Sequence, residues 1–141
     1  TLPAVNRGLE KSGRSIEDFE ISYSPFIISG KDEATFENEK AAAKNRIAFY
    51  GSTPAYKNVL GVHGWGEMQI ELNSMSKQGK WQEMGELITD EMLNTFGIMA
   101  EPNSIVPEIK SRFGDIVNRT SDGFGFVDGD QRKEMVAALR A

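Results

Sequence analysis

The single histidine of the chain, His63, lies in the run Val-His-Gly-Trp-Gly at residues 62–66. An imidazole can act as a general acid or base near neutral pH, and the flanking glycines allow a ligand to approach the ring closely. We therefore predict His63 as a catalytic residue, with a histidine that hydrogen-bonds a turn carbonyl as the alternative. Trp65 beside it can stack on a planar ring or anchor the core.

Two further residues could bind an anion. Ser52 stands in the run Gly-Ser-Thr-Pro, where a hydroxyl and backbone N–H groups at a helix start can hold a phosphate or form a plain capping turn. Arg119 falls in a predicted strand, where an unpaired charge is costly, so its guanidinium should meet an anionic ligand or a carboxylate. The sequence motifs of nucleotide-binding loops, serine hydrolases and zinc proteases are absent.

The composition of the 141-residue chain narrows the possible chemistry. The absence of cysteine excludes disulfides, thiolate catalysis and cysteine-ligated metals, and a single histidine excludes a two-histidine metal site. The formal net charge is −5, from 16 basic and 21 acidic residues, which disfavours nucleic-acid binding. No apolar run approaches the roughly 20 residues that cross a bilayer. The sequence therefore predicts a soluble, cytoplasmic protein with no metal, nucleic-acid or membrane partner.

Alternating helices and strands must position these candidates. Hydrophobic spacing and turn residues predict helices at residues 1–12, 32–50, 80–93, 104–113 and 130–139, strands at 19–28, 94–100 and 116–121, and a short-helix insertion at 51–79. Asp32 and Asn103 are predicted helix caps, and Pro107 is predicted in a first helical turn. The predicted core face of the third helix consists of Trp81, Met84, Leu87, Ile88 and Leu93.

Strands separated by helices indicate an α/β fold with a parallel sheet and crossover helices. Three strands make a very small parallel sheet, and such sheets are usually covered on both faces. The first predicted helix also lacks a start signal. We therefore expect either a segment of a larger protein or a sheet that neighbouring copies complete.

Three runs of the chain carry a resemblance to a known family: IAFYGSTPAY at residues 47–56, HGWG at 63–66 and SKQGKWQEM at 76–84. Here the sequence resembles the luciferase-like monooxygenases, and more narrowly the oxidoreductases that use the deazaflavin coenzyme F-420. The Gly-Arg pair at 13–14 and the Ala-Glu-Pro turn at 100–102 support the resemblance, which covers nearly all of the chain.

The resemblance implies a partial TIM (β/α)8 barrel. Residues 1–141 would form a single C-terminal barrel segment with the last three βα units, and residues 51–79 would be an insertion within it. It also implies hydride transfer between a small-molecule substrate and coenzyme F-420 or FMN at the carboxyl mouth of the barrel. Our candidates for the groups over this mouth are Tyr50, Ser52, Trp65 and Arg119 for cofactor binding and His63 for catalysis, although the resemblance matches none of them to an established catalytic position.

A barrel segment would leave strand edges and apolar surface open, so we expect a homo-oligomer. The alternative function is a non-enzymatic α/β interaction domain that self-associates through those edges. A phosphate-binding catalytic domain of another type is a third hypothesis, against which the missing phosphate-loop motifs count.

Overall fold

The computed structural model describes residues 2–121 and 123–141. Two short strands, eight α-helices and two 3₁₀ turns form in this part of the chain. Their bounds in chain order are α1 Leu2–Ser12, a 3₁₀ turn Ile16–Asp18, β1 Phe26–Ile28, α2 Glu33–Gly51, a 3₁₀ turn Pro54–Tyr56, α3 Lys57–Gly61, α4 Met68–Lys77, α5 Trp81–Glu86, α6 Asp90–Phe96, β2 Gly97–Met99, α7 Pro102–Phe113 and α8 Gly129–Arg140.

The two strands are parallel, with Phe26 opposite Gly97 and Ile28 opposite Met99. An α/β fold with a small parallel sheet is therefore confirmed. The predicted strand at 19–28 narrows to three residues, because Pro25 has no N–H to donate to a ladder. In the described part of the chain, no helix is both long enough and apolar enough to cross a bilayer.

The prediction of a third strand at 116–121 is wrong. This segment forms only one isolated parallel bridge, between Ser22 and Arg119. The Ile21 carbonyl accepts a hydrogen bond from the Asn118 N–H at 2.9 Å, whereas the Ile28 carbonyl accepts one from Ala100 at 3.2 Å. In an extended chain the carbonyls of consecutive residues point to opposite edges, so residues an odd number of positions apart, such as Ile21 and Ile28, face different neighbours. Residues 118–121 therefore lie on the edge of the β1 segment that faces away from β2.

The observed helix starts confirm one of the two predicted caps. Asp32 is confirmed as the cap of α2, because its Oδ1 accepts a hydrogen bond from the Thr35 N–H at 2.8 Å. Asn103 is not a cap: α7 begins at Pro102, a residue well suited to a first helical position, and Glu101 precedes it. The earlier start puts Pro107 in the second turn of the helix, beyond the first turn where we expected it.

The predicted helix at 80–93 is two helices. Thr89 interrupts it and caps α6, since its hydroxyl accepts a hydrogen bond from the Met92 N–H at 3.3 Å. The predicted core face is confirmed only in part. Met84, Ile88 and Leu93 are buried as predicted, but Trp81 at the start of α5 is 49% exposed, so its prediction as a core residue is wrong.

Helices cover both faces of the sheet. Side chains of a strand alternate between faces, and Ile28 packs into a first core cluster with α2, α4, α5 and α6. Ile98 packs into a second cluster on the other face, with α7, α8 and Phe124. Burial of these two clusters removes most of the apolar surface of the sheet from water, which is the main stabilising contribution.

Candidate functional site

An aromatic groove of about 280 Å³ lies at the amino ends of both strands. It forms there because α2 starts beyond the carboxyl end of β1 and runs back along the sheet, so that its last turn arrives beside the strand starts. The lining is mainly aromatic and aliphatic, and includes Tyr23, Phe26, Tyr50, Tyr56, Leu60 and Phe96. None of the described residues that line this groove is charged.

Tyr50 lies in this groove and is 43% exposed. Its ring centroid is 5.7 Å from that of Tyr56 and 5.7 Å from that of Phe49. Such tilted and edge-on contacts hold aromatic rings in defined positions. Tyr50 is therefore positioned to offer a ring face to a planar ligand.

His63 and Trp65 form a second aromatic group beside the groove. Their rings stack with centroids 5.2 Å apart, and each meets the ring of Phe96 edge-on, at 5.5 and 5.9 Å. The backbone of Gly64 between them has φ of +84°, a conformation that favours glycine. Trp65 is half-buried against the first core cluster, whereas His63 is exposed.

Ser52 is 7% exposed and all of its polar groups are engaged within the fold. Its hydroxyl donates a hydrogen bond to the Phe49 carbonyl at 2.7 Å. Its own carbonyl accepts hydrogen bonds from Gln69 Nε2 at 3.1 Å and from Asn73 Nδ2 at 3.0 Å. These contacts fix α4 against the end of α2.

Arg119 lies apart from the other candidates, on the edge of the β1 segment that faces away from β2. Its Nε is 2.8 Å from Glu20 Oε1, and the arginine side chain is 69% exposed. From sequence, the expected partner of Arg119 was either an anionic ligand or a carboxylate, and the structure contains the carboxylate of Glu20. Arg119 pairs with Ser22, which precedes β1 by four residues, so it too is on the amino side of the sheet.

Tyr23 connects the groove to the second core cluster. Its hydroxyl donates a long hydrogen bond of 3.5 Å to the Phe96 carbonyl, and its ring is 4.9 Å from that of Phe113. Burial raises the pKa of the Tyr23 phenol, although the Arg112 guanidinium acts in the opposite direction. The phenol therefore stays protonated at neutral pH and serves as a donor.

The structure thus brings Tyr50, His63 and Trp65 together near Phe96. Ser52 lies in the α2–α4 contact and Arg119 lies apart. All five lie at the amino side of the sheet, whereas we expected them over the carboxyl mouth. Ligands of (β/α)8 enzymes and of open α/β sheets bind at the carboxyl ends of the strands. The proposed roles of Tyr50, Ser52, Trp65 and Arg119 in cofactor binding, and of His63 in catalysis, stay predictions.

Sequence reasoning missed Phe96 and Tyr23, which no motif distinguishes, and also Tyr56, which lies inside the run that carries the family resemblance. It also missed a polar group at the carboxyl end of the sheet. Ser29 directly follows β1 and is fully buried, and its Oγ has no hydrogen-bond partner among the described residues. Across residues 2–121 and 123–141, no three acidic or histidine side chains converge as metal ligands would.

Comparisons with known proteins identify the same family as the motif runs at residues 47–56, 63–66 and 76–84. The luciferase-like monooxygenase family matches residues 1–118. An uncharacterized protein of Mycobacterium tuberculosis is 42% identical over 119 residues, which are 84% of this chain and 35% of that protein. The same figures hold for an uncharacterized protein of Mycobacterium bovis.

A more distant relative is the 5,10-methylenetetrahydromethanopterin reductase of Archaeoglobus fulgidus. It is 30% identical over 113 residues, which are 74% of this chain and 32% of the reductase. The chain therefore spans about a third of the length of these curated relatives. Because the family match extends over most of its residues, the chain belongs to the luciferase-like monooxygenase family.

Proposed function

We propose that this chain is part of a cytoplasmic oxidoreductase that transfers hydride between a small-molecule substrate and coenzyme F-420 or FMN. The observation that carries the proposal is the family match over residues 1–118. The reductase from Archaeoglobus fulgidus supports the oxidoreductase class, and its printed name gives a first substrate to test, 5,10-methylenetetrahydromethanopterin. The motif runs at 47–56 and 76–84 resemble the F-420 branch, so coenzyme F-420 is the cofactor we favour.

The same proposal includes a C-terminal barrel segment with residues 51–79 as its insertion. One βαβ unit supports it, since β1 and β2 are parallel neighbours joined through α2 to α6. The rest of a barrel would come from further sequence of a longer protein or from other copies of the chain.

The amino-end groove fits one part of such a cofactor. Aromatic faces such as those of Tyr50 and Tyr56 can contact a planar ring system. A phosphate tail needs cations or free N–H groups, and none of the described lining residues is charged. The groove therefore matches the ring but not the tail. The carboxyl ends of β1 and β2 are the better site on general grounds.

A cofactor bound at the carboxyl ends of the strands would supply the hydride chemistry, while the protein binds and orients it and excludes water. The aromatic packing around Phe96 holds the starts of both strands and the 51–79 insertion in place. Its contribution to the function would be to fix the strand positions from the opposite end of the sheet.

The test is a titration of the purified chain with coenzyme F-420 and with FMN, followed by absorbance and fluorescence. We expect saturable binding, tighter for F-420. The activity assay then combines reduced F-420 with 5,10-methylenetetrahydromethanopterin and follows the return of the oxidised deazaflavin absorbance. The proposal is wrong if neither cofactor shows saturable affinity.

A second candidate function is the self-associating interaction domain, which the surface favours at one place. Phe49 and Trp81 are 54% and 49% exposed, with ring centroids 6.0 Å apart. Exposed apolar groups of this kind mark association surfaces. Size-exclusion chromatography with light scattering tests this: a homo-oligomer that the variant Trp81→Gln dissociates supports self-association, and a monomeric wild type contradicts it.

A further inference from the structure

We propose that the amino-end groove binds a small, uncharged aromatic molecule that carries a hydroxyl or carbonyl group. This site lies at the opposite end of the sheet from the proposed cofactor, so it does not depend on the proposed function. The groove has a volume of about 280 Å³. A dry cavity of about 150 Å³ is enough for one benzene ring. The groove therefore has room for a bicyclic ring, and it is smaller than the pockets of about 300–1,000 Å³ that hold drug-sized ligands.

The lining of the groove favours a ligand without charge. Its walls include the side chains of Phe26, Leu60 and Phe96, and none of the described lining residues is charged. The guanidinium of Arg46 is held over the Phe26 ring, 5.6 Å from its centroid, and is not part of the lining. An anion in the groove would lose its water without gaining a cation, which is costly.

Two tyrosines offer their rings to a planar molecule. Tyr50 and Tyr56 are 43% and 42% exposed, and their ring centroids are 5.7 Å apart with the planes tilted by 51°. Rings in such positions can contact a planar ligand by face and by edge. Neither tyrosine belongs to the two core clusters. Aromatic rings that a fold leaves half in water along a concave surface are typical of a binding site.

The phenol of Tyr23 supplies a donor for the polar group of the ligand. Among the described residues its hydroxyl donates only to the Phe96 carbonyl, at 3.5 Å. This is longer than the usual range of about 2.5–3.0 Å for such a bond, so the donor is poorly used. Burial raises the pKa of the phenol, which therefore keeps its proton at neutral pH. A hydroxyl or carbonyl oxygen of a ligand can accept this hydrogen bond instead.

The first test compares two probes with the same ring system and different charge at pH 7, 2-naphthol and 2-naphthoate. The full chain is titrated with each probe, and binding is followed by the fluorescence anisotropy of the probe. We expect saturable binding of 2-naphthol, at least tenfold tighter than that of 2-naphthoate, because the groove offers no cation. Naphthalene, which lacks the hydroxyl, should bind about fivefold more weakly than 2-naphthol, which corresponds to one neutral hydrogen bond.

Two variants test whether the probe lies in this groove. Tyr56→Ala removes one ring and should weaken the binding of 2-naphthol about fivefold. Tyr23→Phe keeps the ring that packs on Phe113, and it should abolish the preference for 2-naphthol over naphthalene. The control is Trp81→Gln, since Trp81 is a similarly exposed aromatic residue outside the lining. This variant should leave the affinity for 2-naphthol unchanged. Circular dichroism checks the fold of each variant, and the conservative Tyr23→Phe decides the matter if Tyr56→Ala is unfolded.

The proposal is overturned if the wild type does not bind 2-naphthol saturably, or if it binds 2-naphthoate equally well. It is also overturned if folded groove variants bind as the wild type does. Binding by Trp81→Gln alone, together with an oligomeric wild type that this variant dissociates, would show that a second copy occupies the groove. A failure of the F-420 and FMN titrations would overturn the proposed function and leave this ligand site unaffected, because the two sites are at opposite ends of the sheet.

Discussion

Two buried serines lie at opposite ends of the sheet and differ in what their hydroxyls meet. Ser52, at the amino end, donates to the Phe49 carbonyl, while its carbonyl accepts from two amide side chains. Ser29, at the carboxyl end, has a hydroxyl with no partner among the described residues. The same side chain therefore stabilises one end of the molecule and destabilises the other.

The comparison shows that a reactive residue type does not by itself mark a functional site. The amino end has the residues that look reactive, and packing or ion pairing accounts for them: His63 stacks on Trp65, and Arg119 pairs with Glu20. Arg112 likewise donates to the Gly97 carbonyl at 2.7 Å, at the start of β2. At the carboxyl end, Ser29 has the one buried side-chain polar atom that lacks a hydrogen-bond partner among the described residues.

The largest loss of stability should follow a substitution that pushes the amino ends of β1 and β2 apart. A Cβ at Gly97 would lie 2.6 Å from the Phe26 carbonyl oxygen and 2.9 Å from Ile28 Cδ1. Gly97→Ala should lower the free energy of unfolding by about 3 kcal/mol, because backbone must shift. A Cβ at Gly125 would meet no described atom within 4 Å, so Gly125→Ala is the control. Urea denaturation measures both, and equal midpoints would contradict the close strand contact at the amino end.

The next largest change in stability is expected for the two serine variants, whose comparison tests the contrast directly. Ser52→Ala removes a satisfied hydrogen bond and should lower the free energy of unfolding by about 1 kcal/mol. Ser29→Ala removes an unsatisfied hydroxyl and should raise it by up to about 1 kcal/mol. The two variants lose the same atom from residues that are 7% and 0% exposed, so burial does not explain a difference in sign. Urea midpoints that shift in the same direction would remove the contrast between the two ends.

Local signals were sufficient for the helices whose ends are set by their own residues. The predicted helix at 32–50 is α2, with Asp32 as its cap, and the predicted helices at 1–12 and 130–139 are α1 and α8 within one or two residues. Residues 51–79 contain the short helices α3 and α4, whereas their role as an insertion stays a prediction. In each case the capping residue or the hydrophobic period lies inside the segment itself.

The predictions that failed depend on contacts distant in sequence. Residues 116–121 have strand-like composition, but a strand needs a neighbour along its length, and here the pairing is limited to the bridge at Arg119. Trp81 has helical spacing for the core, yet it lies at the start of α5 beside Phe49 and its ring is half-exposed. Ser29 carries no sequence signal, because what distinguishes it is the absence of a partner in the fold.

A smaller effect is expected midway between the two ends, where α2 meets α6. Asp90 Oδ2 is 2.7 Å from Lys40 Nζ, and its Oδ1 is 3.3 Å from Lys44 Nζ. The hydrogen bond from Lys40 holds the pKa of Asp90 below its ordinary value, and burial opposes this. The stabilisation is therefore present above the ordinary carboxyl pKa and is lost as the pH falls through the lowered pKa of Asp90. Since the carboxylate is 51% exposed, Asp90→Asn should cost only about 0.5 kcal/mol at pH 7.

Thermal denaturation at a series of pH values measures this difference. The difference in melting temperature between wild type and Asp90→Asn should disappear in acid. The serine variants should keep the pH dependence of the wild type. Asp90 also raises the pKa of Lys40, so the same pair weakens again as the pH rises through that raised value. A gap that persists below the lowered pKa of Asp90 would contradict the charge-based origin of the stabilisation.

The smallest effect should come from Arg119, and its size decides whether this residue remains a candidate for binding an anion. The pair with Glu20 is short, at 2.8 Å, but its side chains are 69% and 50% exposed, so water and salt screen it. A double-mutant cycle with Arg119→Gln and Glu20→Gln should give a coupling energy of about 0.5 kcal/mol or less, which vanishes at high salt. A pair this weak leaves the guanidinium able to exchange Glu20 for a phosphate, as the sequence prediction requires. A coupling energy of about 2 kcal/mol that persists at high salt would instead make Arg119 a structural residue of the amino end, like Ser52.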